Sequence, residues 1–216
     1  MFYQLDDHDI WFPKPELADN DGLLAVGGDL RVERLRLAYA HGIFPWYSDE
    51  TPILWYSPHQ RFVLFPSELK ISKSMRRLLK KHPYTITKNQ AFSEVVAQCA
   101  KIERPGQLGT WITQDMQKAY TRLHEAGFAS SIEVWQGQQL CGGLYGVICG
   151  SRNHVFCGES MFSTYPNTSK LALIYLCQTE LYELIDCQVE SAHLRSMGAK
   201  MINRKTYSTV LNKSMV

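Results

Sequence analysis

Residues 130–189 restrict the fold more than any other part of the chain. "SSIEVW", "QLCGGLYGVIC" and "HVFCGESMFS" are three runs rich in apolar, β-branched and aromatic residues, separated by the turn signals "QGQ" and "GSRN". "NTSKLALIYLCQTELYE" then reads as a helix entered at Asn167 or Thr168, and "LIDCQV" as the next strand. A strand, one helix and a second strand of the same sheet usually run parallel and close together. Three successive strands followed by such a crossover predict a sheet domain of the α/β or α+β class.

The crossover sets "GESMFS" beside "DCQ", although 27 positions separate Glu159 from Asp186. By the period of two, Glu159 and Met161 share a face, as do Asp186 and Gln188, while Ile185, Cys187 and Val189 form an apolar opposite face. Two readings fit the polar trio Glu159, Asp186 and Gln188. One is an exposed polar face on a half-covered sheet. The other is a cleft in which carboxylates and an amide handle protons and align an amine. Two neighbouring carboxylates would raise at least one pKa, which suits taking up a proton. Spacing alone leaves both readings standing.

Upstream, "ISKSMRRLLKKH" spaces Ile71, Met75, Leu78 and Leu79 along one helical stripe, closed by Pro83. Its other face carries Lys73, Arg76, Arg77, Lys80 and Lys81 and no acid. Such a face is usually just solvated; phosphate contact is the functional alternative. "YTITK" is a short strand, and "AFSEVVAQCAKI" and "TQDMQKAYTRLHEAG" are two further helices, the second stopped by Gly127. A helix is also expected after "LIDCQV".

The first sixty residues differ in texture, being dense in Pro, Gly, Trp and Tyr around one helix at about 31–41 with Leu35, Ala38 and Tyr39 on a face. They predict a small irregular domain, 1–62, ahead of a larger one, 63–216. Trp46, Tyr47, Trp55 and Tyr56 are first of all core material for a small domain. Trp46 and Tyr47, however, lie between Pro45 and "SDET", a loop-like setting in which aromatics can stack on unpaired bases. Residues 1–62 hold ten Asp/Glu and five Lys/Arg, and 63–216 hold eleven and eighteen, so the net charges are −5 and +7. A basic larger part suits a polyanionic partner.

Several classes are excluded. No run approaches 18 apolar residues, so no transmembrane helix is expected, and "MFYQLDDHDIWF" lacks the basic start and apolar middle of a signal peptide. Six cysteines in apolar segments without a C-x-x-C pair predict reduced, buried thiols in a cytoplasmic protein and no zinc site. The histidines are scattered and none is assigned to a metal. "CGGLYGVICG" lacks G-x-G-x-x-G spacing and a following helix, and no P-loop, G-x-S-x-G or H-E-x-x-H occurs.

Eight ordered stretches resemble the bacterial leucyl/phenylalanyl-tRNA–protein transferases over nearly the whole chain. They are "DGLLAVGGDL", "AYAHGIFPWYS", "PILWYSP", "GTWIT", "SIEVW", "GGLYGV", "CGESMFS" and "LIDCQV". The resemblance implies an α+β protein, in which a small N-terminal α/β domain precedes an acetyltransferase-like (GNAT-type) mixed-sheet domain. It implies transfer of Leu, Phe or Met from aminoacyl-tRNA to proteins with N-terminal Arg or Lys, with no cofactor, metal or membrane, by a cytoplasmic monomer. By position, Tyr39, Trp46 and Trp111 resemble the residues that embrace the terminal adenosine. Leu144, Phe156, Met161, Leu173 and Ile185 resemble the aminoacyl pocket, where Leu144 stands in a place the family often gives to Met. Glu159, Asp186 and Gln188 resemble the catalytic group. Gln188 stands nearest the chemistry, Asp186 polarises it, and the proton acceptor is left open because an amide is a poor base. The basic helix becomes the contact for tRNA phosphates.

Two rivals stand beside this reading. A coenzyme-A acyltransferase needs a phosphate-binding turn before a helix, for which "RSMGAK" (195–200) is the nearest candidate. A non-catalytic tRNA-binding adaptor needs only the basic helix and the aromatics.

Overall fold

The computed structural model describes residues 2–81, 83–102 and 110–213; His82 of the basic helix and Gly109 of "GTWIT" lie outside the described residues. In chain order the elements are β1 (Tyr3–Leu5), β2 (Leu23–Gly27), α1 (Val32–Ala40), β3 (Phe44–Pro45), β4 (Leu54–Tyr56), β5 (Gln60–Leu64), α2 (Lys73–Lys81), β6 (Thr85–Lys88), α3 (Phe92–Lys101) and α4 (Gln114–Glu125). They continue with β7 (Ala129–Gln136), β8 (Gln139–Cys149), β9 (Val155–Ser163), α5 (Thr168–Gln178), β10 (Leu184–Gln188), α6 (Ala192–Ser196), β11 (Lys200–Asn203) and α7 (Arg204–Leu211). The fold is α+β, with two sheets.

The first sheet has strand order β1-β2-β4-β3 and the second β11-β5-β10-β9-β8-β7-β6. Strands β7, β8 and β9 form the expected antiparallel run, and α5 carries the chain over to β10, which pairs parallel to β9 with Ile185 opposite Phe156 and Asp186 opposite Cys157. The large sheet is therefore mixed.

Strand β5 pairs with both β10 and β11, and the chain changes sheets between Tyr56 and Gln60. The core runs on across that point. Leu24, Leu35, Tyr39 and Trp55 share one buried cluster with Tyr120 and Tyr145 of the larger part. Trp55 is fully buried and donates its indole N–H to the Gly27 carbonyl at 2.8 Å, and the exposed aromatics of this part are Phe2, Tyr3, Trp11 and Trp46. Beyond β10 the single expected helix is instead α6, β11 and α7.

Local rules account for most helices. The Thr113 hydroxyl accepts from the Met116 N–H to cap α4, whose Met116, Ala119, Tyr120 and Leu123 are all buried, and Gly127 ends it at φ +84°. Helix α5 is tied down differently. Asn167 makes no side-chain cap; the Thr168 hydroxyl bonds the Cys141 carbonyl of β8 instead. Helix and strand meet so closely that a Cβ on Gly142 would sit 2.3 Å from the Thr168 hydroxyl oxygen.

Helix α2 buries Met75 and half-buries Leu78 and Leu79, with Ile71 just ahead of it, against a second apolar cluster, which contains Leu144, Phe156, Leu173 and Ile185. Lys73, Arg76, Arg77, Lys80 and Lys81 are all exposed on its other side, and none makes an ion pair among the described residues.

Candidate active site

Two β-bulges build the site. In the β8–β9 ladder Tyr145 pairs with Ser160 and Gly146 with Gly158, which leaves Glu159 as the extra residue. In the β10–β5 ladder Asp186 pairs with Val63 and Gln188 with Phe62, which leaves Cys187 extra. Gln188 itself lies in the left-handed region at φ +57°, uncommon outside glycine. Gly146 makes the first bulge possible, because a Cβ there would lie 2.2 Å from the Cys157 carbonyl oxygen.

The β9 bulge reverses which side chains face which way. Phe156 and Met161 differ by an odd number of positions yet both pack with the second cluster, while Cys157 and Phe162 both belong to the first. Strict alternation therefore fails here, and Glu159 does not share a face with Met161. Its carboxylate turns to the tyrosines of the first core. Tyr39 donates to Glu159 Oε1 at 2.7 Å and Tyr120 to Oε2 at 3.1 Å, with the two hydroxyls 2.6 Å apart.

Gln188 closes the arrangement. Its side-chain amide donates through Nε2 to Glu159 Oε1 at 2.9 Å, and its backbone N–H donates to Asp186 Oδ1 at 2.9 Å. Asp186 thus reaches the backbone of Gln188, and the partner of the Gln188 amide group is Glu159. Arg61 Nη2 lies 3.2 Å from Asp186 Oδ2.

Burial shapes the titration of these groups. Loss of solvent pushes Glu159 up to about 7, against the opposing hydrogen bonds from Tyr39, Tyr120 and Gln188. The same desolvation, with the Glu159 charge added, raises Tyr39 and Tyr120 well above the ordinary phenol value. A carboxyl near 7 can both accept and release a proton at neutral pH.

A cavity of about 410 Å³ opens beside this group. Leu144, Phe156, Met161, Leu173 and Ile185 line it, together with Glu159, Asp186 and Gln188, and Trp46 and Trp111 belong to the same wall. Trp46 is 44% exposed and marks its mouth. Tyr39 is absent from the wall. It is buried beneath Glu159 and donates to that carboxylate. The five cations of α2 do not line the cavity either.

Other lining residues escaped sequence reasoning. Leu176 follows Leu173 by one helical turn, a spacing that could have disclosed it. His193 and Leu194 come from α6, whose short span offers no periodicity to read. Tyr120 is outside the wall, and nothing local in "TQDMQKAYTRLHEAG" marks its hydroxyl as a donor to Glu159. The turn "RSMGAK" leads from α6 into strand β11, so Gly198 precedes no helix and the coenzyme-A rival loses its phosphate-binding turn. Among the described residues no group of three or more His, Cys, Asp or Glu could hold a metal ion. No helix among them is long and apolar enough to cross a membrane.

A carboxylate–amide pair at the rim of an apolar cavity, with aromatics at the mouth, is suited to an enzyme that moves a small apolar acyl group. Comparison with known proteins names the family. The model for the leucyl/phenylalanyl-tRNA protein transferase matches residues 63–212, and that for the N-terminal domain of the same proteins matches residues 28–59. A leucyl/phenylalanyl-tRNA–protein transferase of Flavobacterium johnsoniae is 51% identical over 98% of this chain and 99% of its own. One of Syntrophobacter fumaroxidans is 51% identical over 94% and 87%, and one of Shewanella baltica 54% identical over 94% and 86%. The chain belongs to the leucyl/phenylalanyl-tRNA–protein transferase family and is an aminoacyltransferase. Among solved structures, a GCN5-related N-acetyltransferase from Kribbella flavida overlaps 76% of this chain and 58% of its own, at 9% identity and a TM-score of 0.38, which is too slight a likeness to carry an argument.

Proposed function

We propose that this chain moves Leu or Phe, and Met less readily, from aminoacyl-tRNA to the α-amino group of proteins that begin with Arg or Lys. The product's bulky apolar first residue would mark it for N-degron degradation. The observation that carries the reading is the hydrogen bond from Gln188 to Glu159 at the rim of a cavity walled by Leu144, Phe156, Met161, Leu173 and Ile185.

In this reading the cavity holds the aminoacyl side chain. Its apolar wall selects by shape, and one methylene is worth only about 1–3 kcal/mol. Trp46 and Trp111 hold the terminal adenosine by stacking, and the exposed cations of α2 meet tRNA phosphates. The first sheet supplies part of the adenosine seat, and the larger sheet supplies the chemistry.

The tRNA ester is already activated, so the chain must bring amine and ester together, accept one proton and return it. Because Gln188 Nε2 is engaged by Glu159, its Oε1 is left to accept a hydrogen bond from the incoming amine. Gln188 orients that amine and Glu159 takes its proton. The amine nitrogen bonds to the ester carbonyl carbon, the bond to the 3′ oxygen breaks, and Glu159 returns the proton to that oxygen. A carboxyl near 7 suits both transfers, since the free α-amine titrates near ~8. Asp186 holds the backbone of Gln188 in place. The reading also makes the protein a cytoplasmic monomer, which six free cysteines suit.

The test incubates the protein with radiolabelled Phe-tRNA and peptides beginning with Arg, Lys or Ala. Label entering the Arg and Lys peptides and not the Ala peptide is the expected result; no transfer to any of them overturns the reading.

A further inference from the structure

Arg61 is a charge in an unfavourable place. It is 3% exposed, on β5, the strand that pairs with β10 alongside Asp186 and Gln188. Nη2 donates to the Gly42 carbonyl at 3.0 Å and stands 3.2 Å from Asp186 Oδ2, and the guanidinium lies over the rings of Phe44 and Tyr207 at 4.9 and 4.6 Å. Nη1 is buried without a hydrogen-bond partner. Burying a guanidinium this incompletely satisfied costs stability that an apolar side chain of the same length would not. The placement calls for a use of the charge.

That use lies two steps away. The Arg61 charge faces one oxygen of a fully buried carboxylate, and the other oxygen of that carboxylate accepts the N–H of Gln188. Gln188 is held at φ +57°, a strained backbone for a residue with a side chain. In that conformation the amide group and Glu159 meet at 2.9 Å. Without Arg61, Asp186 is a buried carboxylate that has lost its cation, and its turning away releases the Gln188 backbone.

We propose that Arg61 is a positioning residue for the transfer step, acting through Asp186 to hold the left-handed Gln188 at the bulge. The inference rests on reading Glu159 and Gln188 as the reacting pair.

The test measures transfer from Phe-tRNA to an Arg-initiated peptide for the full chain carrying R61M, R61K, D186N, R61M/D186N or Q188A. R61M is expected to lower kcat about 100-fold, as a displacement of an ångström at a reacting group does. The KM for Phe-tRNA should stay within about twofold, since the lost interaction serves the transition state. R61K, which keeps the charge, should lose about tenfold. Because both residues act in series, R61M/D186N should be no slower than the slower single variant. Losses that multiply, a loss seen in KM instead of kcat, or wild-type kcat in R61M overturns the proposal. If R61M gives no cooperative thermal transition, R61K and D186N run through the same cycle with the same criteria. Full rates in both Q188A and D186N overturn the reading of the site itself, an outcome distinct from slow Q188A and D186N beside fast Arg61 variants.

Discussion

Gln188 and Glu159 lie on neighbouring parallel strands, 29 residues apart in sequence, and are joined by a single bond of 2.9 Å from amide nitrogen to carboxylate oxygen. Each stands where its strand is interrupted by one extra residue. The direction of that bond decides which end of the amide is free, so the pair should behave as a unit. Gln188→Ala is expected to lower kcat by about 100-fold with the KM for Phe-tRNA little changed. Gln188→Glu, which keeps the shape but sets two carboxyls together, should do no better. Steady-state kinetics at saturating peptide distinguish the outcomes, and a change confined to KM would count against the assignment.

Folding stability should carry the imprint of Glu159. Its folded-state pKa of about 7 lies above the ordinary 4.5. Between those values the folded chain keeps a proton that the unfolded chain has released. The contribution is therefore favourable at low pH and is lost as pH rises through the window, by roughly 3 kcal/mol in all at about 1.4 kcal/mol per pH unit. Glu159→Gln, which can still accept from Tyr39 and Gln188, should lack this slope. Urea unfolding of both proteins at pH 5 and pH 8 checks it; parallel pH dependences would refute the account.

Tyr39 separates support of the carboxylate from contact with a ligand. Tyr39→Phe removes a donor that favours the ionised form of Glu159. The rising limb of the pH–rate profile, expected near pH 7, should move to higher pH while the KM for Phe-tRNA stays within about twofold. A large rise in that KM with an unmoved limb would assign Tyr39 to the adenosine.

The aminoacyl preference should be adjustable at the helix side of the cavity. Leu173 is 2% exposed and lies on α5 against the wall. Leu173→Phe takes up space that a phenylalanyl side chain needs, and should shift kcat/KM from Phe toward Leu by about tenfold or more, the scale of one or two methylenes. Leu173→Ala should instead cost about 2–5 kcal/mol of stability through the cavity it leaves. Competition between the two charged tRNAs reads the first effect and denaturant unfolding the second.

Reversing Lys80 and Lys81 to Glu tests the exposed face of α2. The KM for Phe-tRNA should rise and its dependence on salt flatten, by roughly one unit of log–log slope for each phosphate contact removed. The kcat should hold, because neither residue lines the cavity. Unchanged salt dependence would leave the face merely solvated.

The helices and the mixed sheet were legible because their signals are local and redundant. Met75, Leu78 and Leu79 recur at helical spacing, and the β9–α5–β10 crossover follows from handedness and length alone. The site was legible only as a neighbourhood. Period-two counting brought Glu159, Asp186 and Gln188 together but set Glu159 on the face of Met161, because a bulge leaves no mark in a sequence beyond a permissive glycine such as Gly146. Trp55 sits in the core, as an aromatic of a small domain is expected to, but nothing local shows that its indole N–H serves Gly27 or that the Tyr39 hydroxyl serves Glu159. The part played by Arg61 depends on Gly42, Phe44, Asp186 and Tyr207, which are scattered along the chain.

The β9 bulge also makes the chain unequally tolerant of changes in length. The turn between β8 and β9, around Gly150–Asn153, lies on the surface and can gain or lose residues without altering what faces the cavity. At the bulge itself the loss of one residue has the opposite signature. Without Glu159 the flanking pairs, Gly146 with Gly158 and Tyr145 with Ser160, can close into a regular ladder, and Phe156, Met161 and Phe162 keep their faces. Such a chain would keep its sheet and its cavity wall and lose only the carboxylate, so a deletion that looks ruinous to an alignment would spare the fold and silence the site.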